Sequence, residues 1–179
     1  GEGGVNVPQA HYLQGLRHLC DLHGWLLMLD EVQCGIGRSG KWFAFQHSGI
    51  FPDVMTLAKG LGSGVAIGAC LAKGVAAQVF KPGNHASTFG GNPLACTAAL
   101  TTLNVIEKDD LIRNAMELGD FMRSALKAQL ADVAGITQIR GQGLMIGIEL
   151  SKPCGELVKK ALEQGLLINV TSDKVVRLL

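Results

Sequence analysis

Two residues carry the most suggestive chemistry in this sequence: the carboxylate of Asp30 and the amine of Lys59. Each follows an apolar segment, Trp25-Leu26-Leu27-Met28-Leu29 before Asp30 and Val54-Met55-Thr56-Leu57-Ala58 before Lys59. A carboxylate beside a pyridine nitrogen keeps that ring protonated, and a lysine amine condenses with an aldehyde to give a Schiff base. Together they can turn an aromatic aldehyde into a sink for electrons. The same two residues also fit a plainer account, in which the lysine is a solvated loop residue and the aspartate caps a helix.

The elements that must position them can be read from periodicity. The run at residues 25–29 suits a buried parallel strand, and residues 53–58 suit a second one closed by Lys59-Gly60-Leu61-Gly62-Ser63-Gly64. Ligands of open α/β sheets bind beyond the carboxyl ends of the strands, so both side chains would enter one crevice, where pyridoxal phosphate (PLP) has the two electronic needs they meet. A helix is expected over residues 8–24, with Pro8 in its first turn and Gly24 at its stop. A glycine-rich loop, 34–41, leads to a short helical piece at 42–48. A third strand is expected at 66–72 and a short helix at 75–80. A loop at 82–91 precedes Asn92, which caps a helix running from Pro93 to about residue 107.

A second long helix is expected over 110–130, then strands at 136–140, 144–150, 166–169 and 175–178 with a helix at 153–164. This order predicts an α/β chain with a mostly parallel sheet over residues 1–108 and a small α+β lobe over 109–179. The opening Gly1-Glu2-Gly3-Gly4-Val5 and the closing Val175-Val176-Arg177-Leu178-Leu179 both read as interior pieces of a longer protein.

Composition narrows the classes. A formal net charge of +1 gives no reason to expect nucleic acid or an acidic membrane surface, and no apolar run reaches spanning length. Five cysteines without C-x-x-C spacing suit reduced thiols in a cytoplasmic protein. The five histidines lack ligand spacing, so no metal site is expected. Gly35-Ile36-Gly37-Arg38-Ser39-Gly40 fits the dinucleotide-binding G-x-G-x-x-G and follows a strand. However, the Asp30-Glu31 pair and Gln33 intervene, and bulky Trp42 and Phe43 come where a helix should pack on a pyrophosphate. A nicotinamide dinucleotide domain is therefore the lesser alternative.

The wider wording is more specific. The run from Leu29-Asp30-Glu31-Val32-Gln33-Cys34-Gly35 to Gly40, with Leu57-Ala58-Lys59-Gly60-Leu61-Gly62, resembles the class III aminotransferases. Gly1-Glu2-Gly3-Gly4-Val5, Ser87-Thr88-Phe89-Gly90-Gly91-Asn92-Pro93 and Arg140-Gly141-Gln142-Gly143-Leu144-Met145 resemble the same family in the same order. The resemblance implies the C-terminal part of a fold-type I PLP-dependent transferase acting on amino-acid and 2-oxo-acid substrates. It implies that Lys59 forms the Schiff base and moves the substrate proton. Asp30 would pair with the ring nitrogen, and Gln33 would lie near the phenolic oxygen, with Val32 also at the cofactor.

Ser87 and Thr88 would bind the phosphate of a neighbouring subunit's cofactor, making a homodimer with shared active sites. Arg177 would grip a substrate carboxylate, and Glu2 would pair with Arg177 when no dicarboxylate is bound. Arg140 is expected only to brace the small lobe. Ile168-Asn169-Val170-Thr171 and Val176-Arg177-Leu178-Leu179 resemble the branch of that family whose amino donor is N-acetylornithine, and the resemblance implies this donor here, with succinylornithine, ornithine and 4-aminobutyrate as its neighbours within the family. The family's earlier half supplies a phosphate loop and a stacking ring, so the chain alone is not expected to be competent. A truncated, non-catalytic fragment that binds a partner subunit is the other alternative.

Overall fold

Helix α1, Tyr12–His23, starts a turn later than the pattern predicts, because residues 10–11 form a turn of their own, closed by Tyr12 N–H to the Gln9 carbonyl (3.0 Å). It stops at Gly24, as expected. The apolar run behind it yields only a three-residue strand, β1, Met28–Asp30. Trp25 is drawn back to stack on His23, with ring centroids 4.7 Å apart, and Leu26 stays exposed. Strand β2, Val54–Leu57, lies parallel to β1 with Asp30 opposite Thr56. Strand β3, Ala69–Ala72, runs antiparallel to β2, so this three-stranded sheet is mixed, in the order β1-β2-β3.

Short 3₁₀ turns fill the connections at Ala44–Ser48, Lys59–Gly62 and Gly74–Gln78. Helix α2, Pro93–Lys108, begins as read from the sequence: the Asn92 side chain accepts from Ala95 N–H (3.0 Å), and proline occupies the first turn. Its Ala99 packs with Leu57 and Leu61 into a core joined by Ile36, Phe43, Met55, Ile67 and Leu103. Arg17 of α1 holds Asp53 at 2.6 Å, and Leu27 N–H donates to the same carboxylate oxygen (2.8 Å). These donors, Arg17 first, hold the Asp53 carboxyl below its ordinary range.

The structure, a computed structural model, describes residues 1–179, which divide into two compact units. The elements above lie in the unit made of Pro8–Gly37 and Lys41–Leu111. The other joins Gly1–Val7, Arg38–Gly40 and Ile112–Leu179. It holds α3 (Leu111–Gln129, from its second residue on) and α4 (Glu156–Glu163) with an antiparallel sheet of order β4-β5-β7-β6. The strands are β4 Ile136–Gln142, β5 Met145–Leu150, β6 Asn169–Thr171 and β7 Val175–Leu178.

Strand β6 is displaced from the apolar run expected at 166–169. Leu166 and Leu167 are exposed, and the pairing with β7 begins only at Asn169 opposite Arg177. The core of this unit centres on Ile146 and Val175, which are fully buried. Gly119, midway along α3, sits directly on the carbonyl of Gly143, a contact that no larger residue would permit. No helix is long and apolar enough to cross a membrane, and no group of three or more His, Cys, Asp or Glu could hold a metal ion.

Candidate functional site

Asp30 and Lys59 are placed by two neighbouring parallel strands. Asp30 is the last residue of β1, and Lys59 follows β2 by two residues, so both leave the sheet at its carboxyl edge. The loops they begin are tied to the same core: Ile36, from the loop after Asp30, packs with Leu57 and Leu61, which flank the lysine. Gly60 approaches Ile36 closely enough that a Cβ there would lie 3.7 Å from the isoleucine Cβ. With Leu57 and Leu61 both pointing inward, the side chain of Lys59 is left exposed.

Lys59 adopts φ +45, a left-handed backbone that costs an L-residue on the order of 1 kcal/mol, and such strain clusters at functional positions. Its amine forms no hydrogen bond or ion pair within the chain. The Asp30 carboxylate accepts one bond, through Oδ1 from Val32 N–H (2.8 Å). That bond fixes the head group and leaves the second oxygen to meet another donor. An anchored carboxylate and an unengaged amine at adjacent strand tips fit the two demands of PLP.

The residue beside Asp30 was not singled out in the sequence, yet it organises this edge. Glu31 is 3% exposed. Its Oε1 accepts from Phe45 N–H and its Oε2 from Ala44 N–H, both at 2.9 Å, and its own N–H bonds the Thr56 carbonyl at 3.0 Å. It thereby caps the 3₁₀ turn 44–48 from a distance and fixes the strand end carrying Asp30. Only its adjacency to Asp30 at the end of an apolar run could have flagged it. Cys34 lies against the same carboxylate, Sγ to Oε2 3.1 Å. Burial first, then the Glu31 charge, pushes its thiol up to about 12, so it stays protonated and is no nucleophile at neutral pH.

The remaining expected cofactor residues fall in two places. Val32 and Gln33 are half-buried in the turn directly after Asp30. Ser87 and Thr88 are exposed in the loop before α2, where Ser87 Oγ accepts from Gly90 N–H (2.9 Å). That loop borders an open cleft of about 290 Å³ lined by Ile67, Phe89, Gly90, Asn92 and Ala95 among others. The G-x-G-x-x-G run opens no α-helix: turns continue over residues 32–39, and the next element is the short 3₁₀ turn at Ala44–Ser48. The geometry of a dinucleotide fold is therefore absent. A Cβ at Gly35 would stand 2.7 Å from the Glu31 carbonyl, so this glycine serves a tight turn.

In the other unit the structure brings Glu2 and Arg177 together, although 175 positions separate them. Arg177 Nη1 donates to the Glu2 carboxylate. The arginine is 9% exposed, whereas the glutamate side chain is 71% exposed. Arg177 also lines an open cleft of about 340 Å³ with Ile168, Asn169 and Leu178. A planar, nearly buried guanidinium at a cleft can take a carboxylate in two parallel bonds, and the exposed Glu2 is a partner that such a carboxylate could displace. Arg140, expected only to brace the lobe, bonds the carbonyls of Gly4 and Val5.

The family model described as "Aminotransferase class-III" matches residues 1–179. An acetylornithine aminotransferase of Nitrosomonas europaea is 69% identical over all of this chain, which covers 46% of that relative. Among solved structures, the acetylornithine aminotransferase of Elizabethkingia anophelis superposes with a TM-score of 0.92 at 38% identity, over 99% of this chain and 46% of its own. An ornithine aminotransferase of Toxoplasma gondii, described with partial occupancy of PLP at its active site, gives 0.94 at 39% identity, over 99% and 43%. The chain thus spans under half the length of the relatives it matches.

Proposed function

The chain belongs to the class III aminotransferases, and from that premise we propose that the full-length protein moves an amino group from N-acetylornithine to 2-oxoglutarate, with PLP as cofactor. The observation that carries the reading is the pair of parallel strand tips that present Asp30 and Lys59 from one sheet edge. Class III aminotransferases use PLP, which when bound supplies an electron sink for charge developing at the substrate carbon.

The residues of this chain divide the remaining work. Lys59 would hold the cofactor through its amine and serve as the base at Nζ that takes a proton from the carbon bearing the reacting amine and later returns it. Asp30, fixed by Val32 N–H, would keep the ring nitrogen protonated. Gln33 and Val32 would border the ring from the turn that follows. Ser87 and Thr88 would offer hydroxyl and backbone donors to the phosphate bound by a second subunit, so that a homodimer completes each site. Arg177 would bind the carboxylate of 2-oxoglutarate, with Glu2 covering it in the absence of that acid. A cytoplasmic setting goes with this reading, and five cysteines without a disulfide support it.

Amino-donor profiling tests the proposal. With PLP and 2-oxoglutarate, the full-length protein should form glutamate with the highest kcat/KM for N-acetylornithine among N-acetylornithine, succinylornithine, ornithine and 4-aminobutyrate. A preference for ornithine would reassign the donor. No glutamate with any of the four would contradict the aminotransferase reading.

A further inference from the structure

We infer that Thr171 and Arg140 are positioning residues for Glu2: they clamp the backbone that presents its carboxylate and so set how strongly Glu2 competes with a substrate for Arg177. This rests on the reading of Arg177 as the carboxylate-binding residue and Glu2 as its displaceable partner. The evidence is a row of residues running straight across the antiparallel sheet. Arg140 of β4 pairs with Gly147 of β5, Gly147 with Arg177 of β7, and Arg177 with Asn169 of β6. Residues in one such row project from the same face. Thr171, two positions beyond Asn169, shares that face on the β6 edge.

Residues Gly1–Val7 lie across this row as a strap. At the β6 edge the hydroxyl of Thr171, a residue 7% exposed, donates to the Glu2 carbonyl, and Ser172 Oγ reaches the same oxygen at 3.4 Å. At the β4 edge Arg140 Nε bonds the carbonyls of Gly4 (3.1 Å) and Val5 (2.9 Å), and its Nη2 bonds Gly4 again (2.5 Å). The guanidinium is braced from behind by Gln138 (2.7 Å) and by Glu149 (2.5 Å), whose other oxygen meets Lys174 at 3.1 Å. Arg140 first, then Lys174, holds the Glu149 carboxyl below its ordinary range.

Between the two edges the strap is seated by packing. Val5 is 2% exposed, and it reaches the sheet because position 147 has no side chain: a Cβ there would stand 3.0 Å from that of Val5. Gly4 turns at φ +107, and a Cβ on it would lie 3.3 Å from both Arg140 Nη2 and Val175 Cγ2. Neighbouring strands stand about 4.8 Å apart, so the clamps at the two edges bracket Arg177 within about 10 Å on the strap's path. Three carbonyls of the strap, those of Glu2, Gly4 and Val5, are thus tied down, while its one charged side chain stays exposed. The ordering cost of holding Glu2 against Arg177 is met by the strap, which gives the carboxylate a high local concentration at the guanidinium. Loosening either clamp lowers that concentration and frees Arg177 for an incoming carboxylate.

The test is a glutarate titration of the PLP-loaded full-length protein by calorimetry, glutarate being a dicarboxylate that cannot react. Thr171→Val, which keeps the shape and removes the hydroxyl, should lower the apparent Kd for glutarate by about two- to tenfold, the worth of one ordinary hydrogen bond. Thr171→Ser should bind like the natural protein, and Arg140→Lys, which loses the planar fork, should tighten glutarate as Thr171→Val does. Glu2→Gln should tighten it at least as much, and in that background Thr171→Val should add nothing. If Glu2→Gln tightens glutarate and Thr171→Val does not, the inference is overturned while the gate stands. It is equally overturned if Thr171→Val has an undiminished effect without the Glu2 charge. If Glu2→Gln itself changes nothing, the reading of Glu2 as a gate fails and takes the inference with it.

Discussion

Replacing Lys59 by alanine is expected to lower glutamate formation by the full-length protein by about 10⁴-fold or more, since it removes both the cofactor tether and the proton-transfer base. The loss should come with almost no change in stability. The lysine side chain is exposed, its amine has no partner in the fold, and Leu57 and Leu61 on either side carry the packing. Alanine at φ +45 meets the same left-handed penalty that lysine already does, so the backbone term cancels. Activity measured beside thermal unfolding checks both halves. A variant with normal activity would dispose of the assignment, and one that unfolds early would show that Lys59 holds the turn together.

Gly119→Ala is expected to destabilise the unit around α3 by roughly 2–4 kcal/mol, the upper range for overpacking a close contact. Helix propensity alone gives the opposite sign, because alanine in a helix interior is favoured over glycine by about 1 kcal/mol. Geometry decides between them. A Cβ at position 119 would stand 2.1 Å from the Gly143 carbonyl oxygen and 2.3 Å from its carbon, well inside contact distance. The turn cannot retreat: Gly143 itself lies at φ +54, and a Cβ on its other side would be 2.4 Å from the Ser39 carbonyl carbon. Arg123, one turn further along α3, also donates to the Gly143 carbonyl at 3.1 Å, so any shift of the helix costs that bond. Thermal unfolding of the 179-residue chain should show a midpoint lower by about 10 °C. A midpoint that rises instead would mean that propensity outweighs the contact and that α3 stands off this turn.

Local signals in the sequence located most elements. Asn92-Pro93 marks the start of α2, Gly24 the end of α1, and the short apolar run Val175–Leu178 a strand, because caps, stops and apolar runs are properties of neighbours in the chain. The run at 166–169 misled because apolar content was read as strand core. The ladder with β7 instead chose Asn169–Thr171 and left Leu166 and Leu167 exposed. Likewise Trp25 and Leu26 were read into a strand that pairing with β2 confines to Met28–Asp30.

The site was legible to the degree that strand ends are. Asp30 and Lys59 could be placed at neighbouring tips from two apolar runs and the rule that ligands bind at carboxyl edges. The partners of Glu31, Arg140, Thr171 and Gly119 were beyond reach because each lies distant in sequence: the 44–45 amides, the Gly4 and Val5 carbonyls, the Glu2 carbonyl and the Gly143 carbonyl. Nothing in their own neighbourhoods encodes those meetings. For Arg140 the sequence reading stopped at bracing. The structure shows what is braced, a strap that carries the Glu2 carboxylate.

Reduction of the PLP-loaded full-length protein with borohydride, followed by peptide mapping by mass spectrometry, asks directly where the cofactor is held. A pyridoxyl group fixed to the peptide at Lys59, with its yield reduced in an Asp30→Ala variant, is the predicted result. Labelling of a different lysine, or of none, would contradict the claim that these two strand tips form the cofactor site.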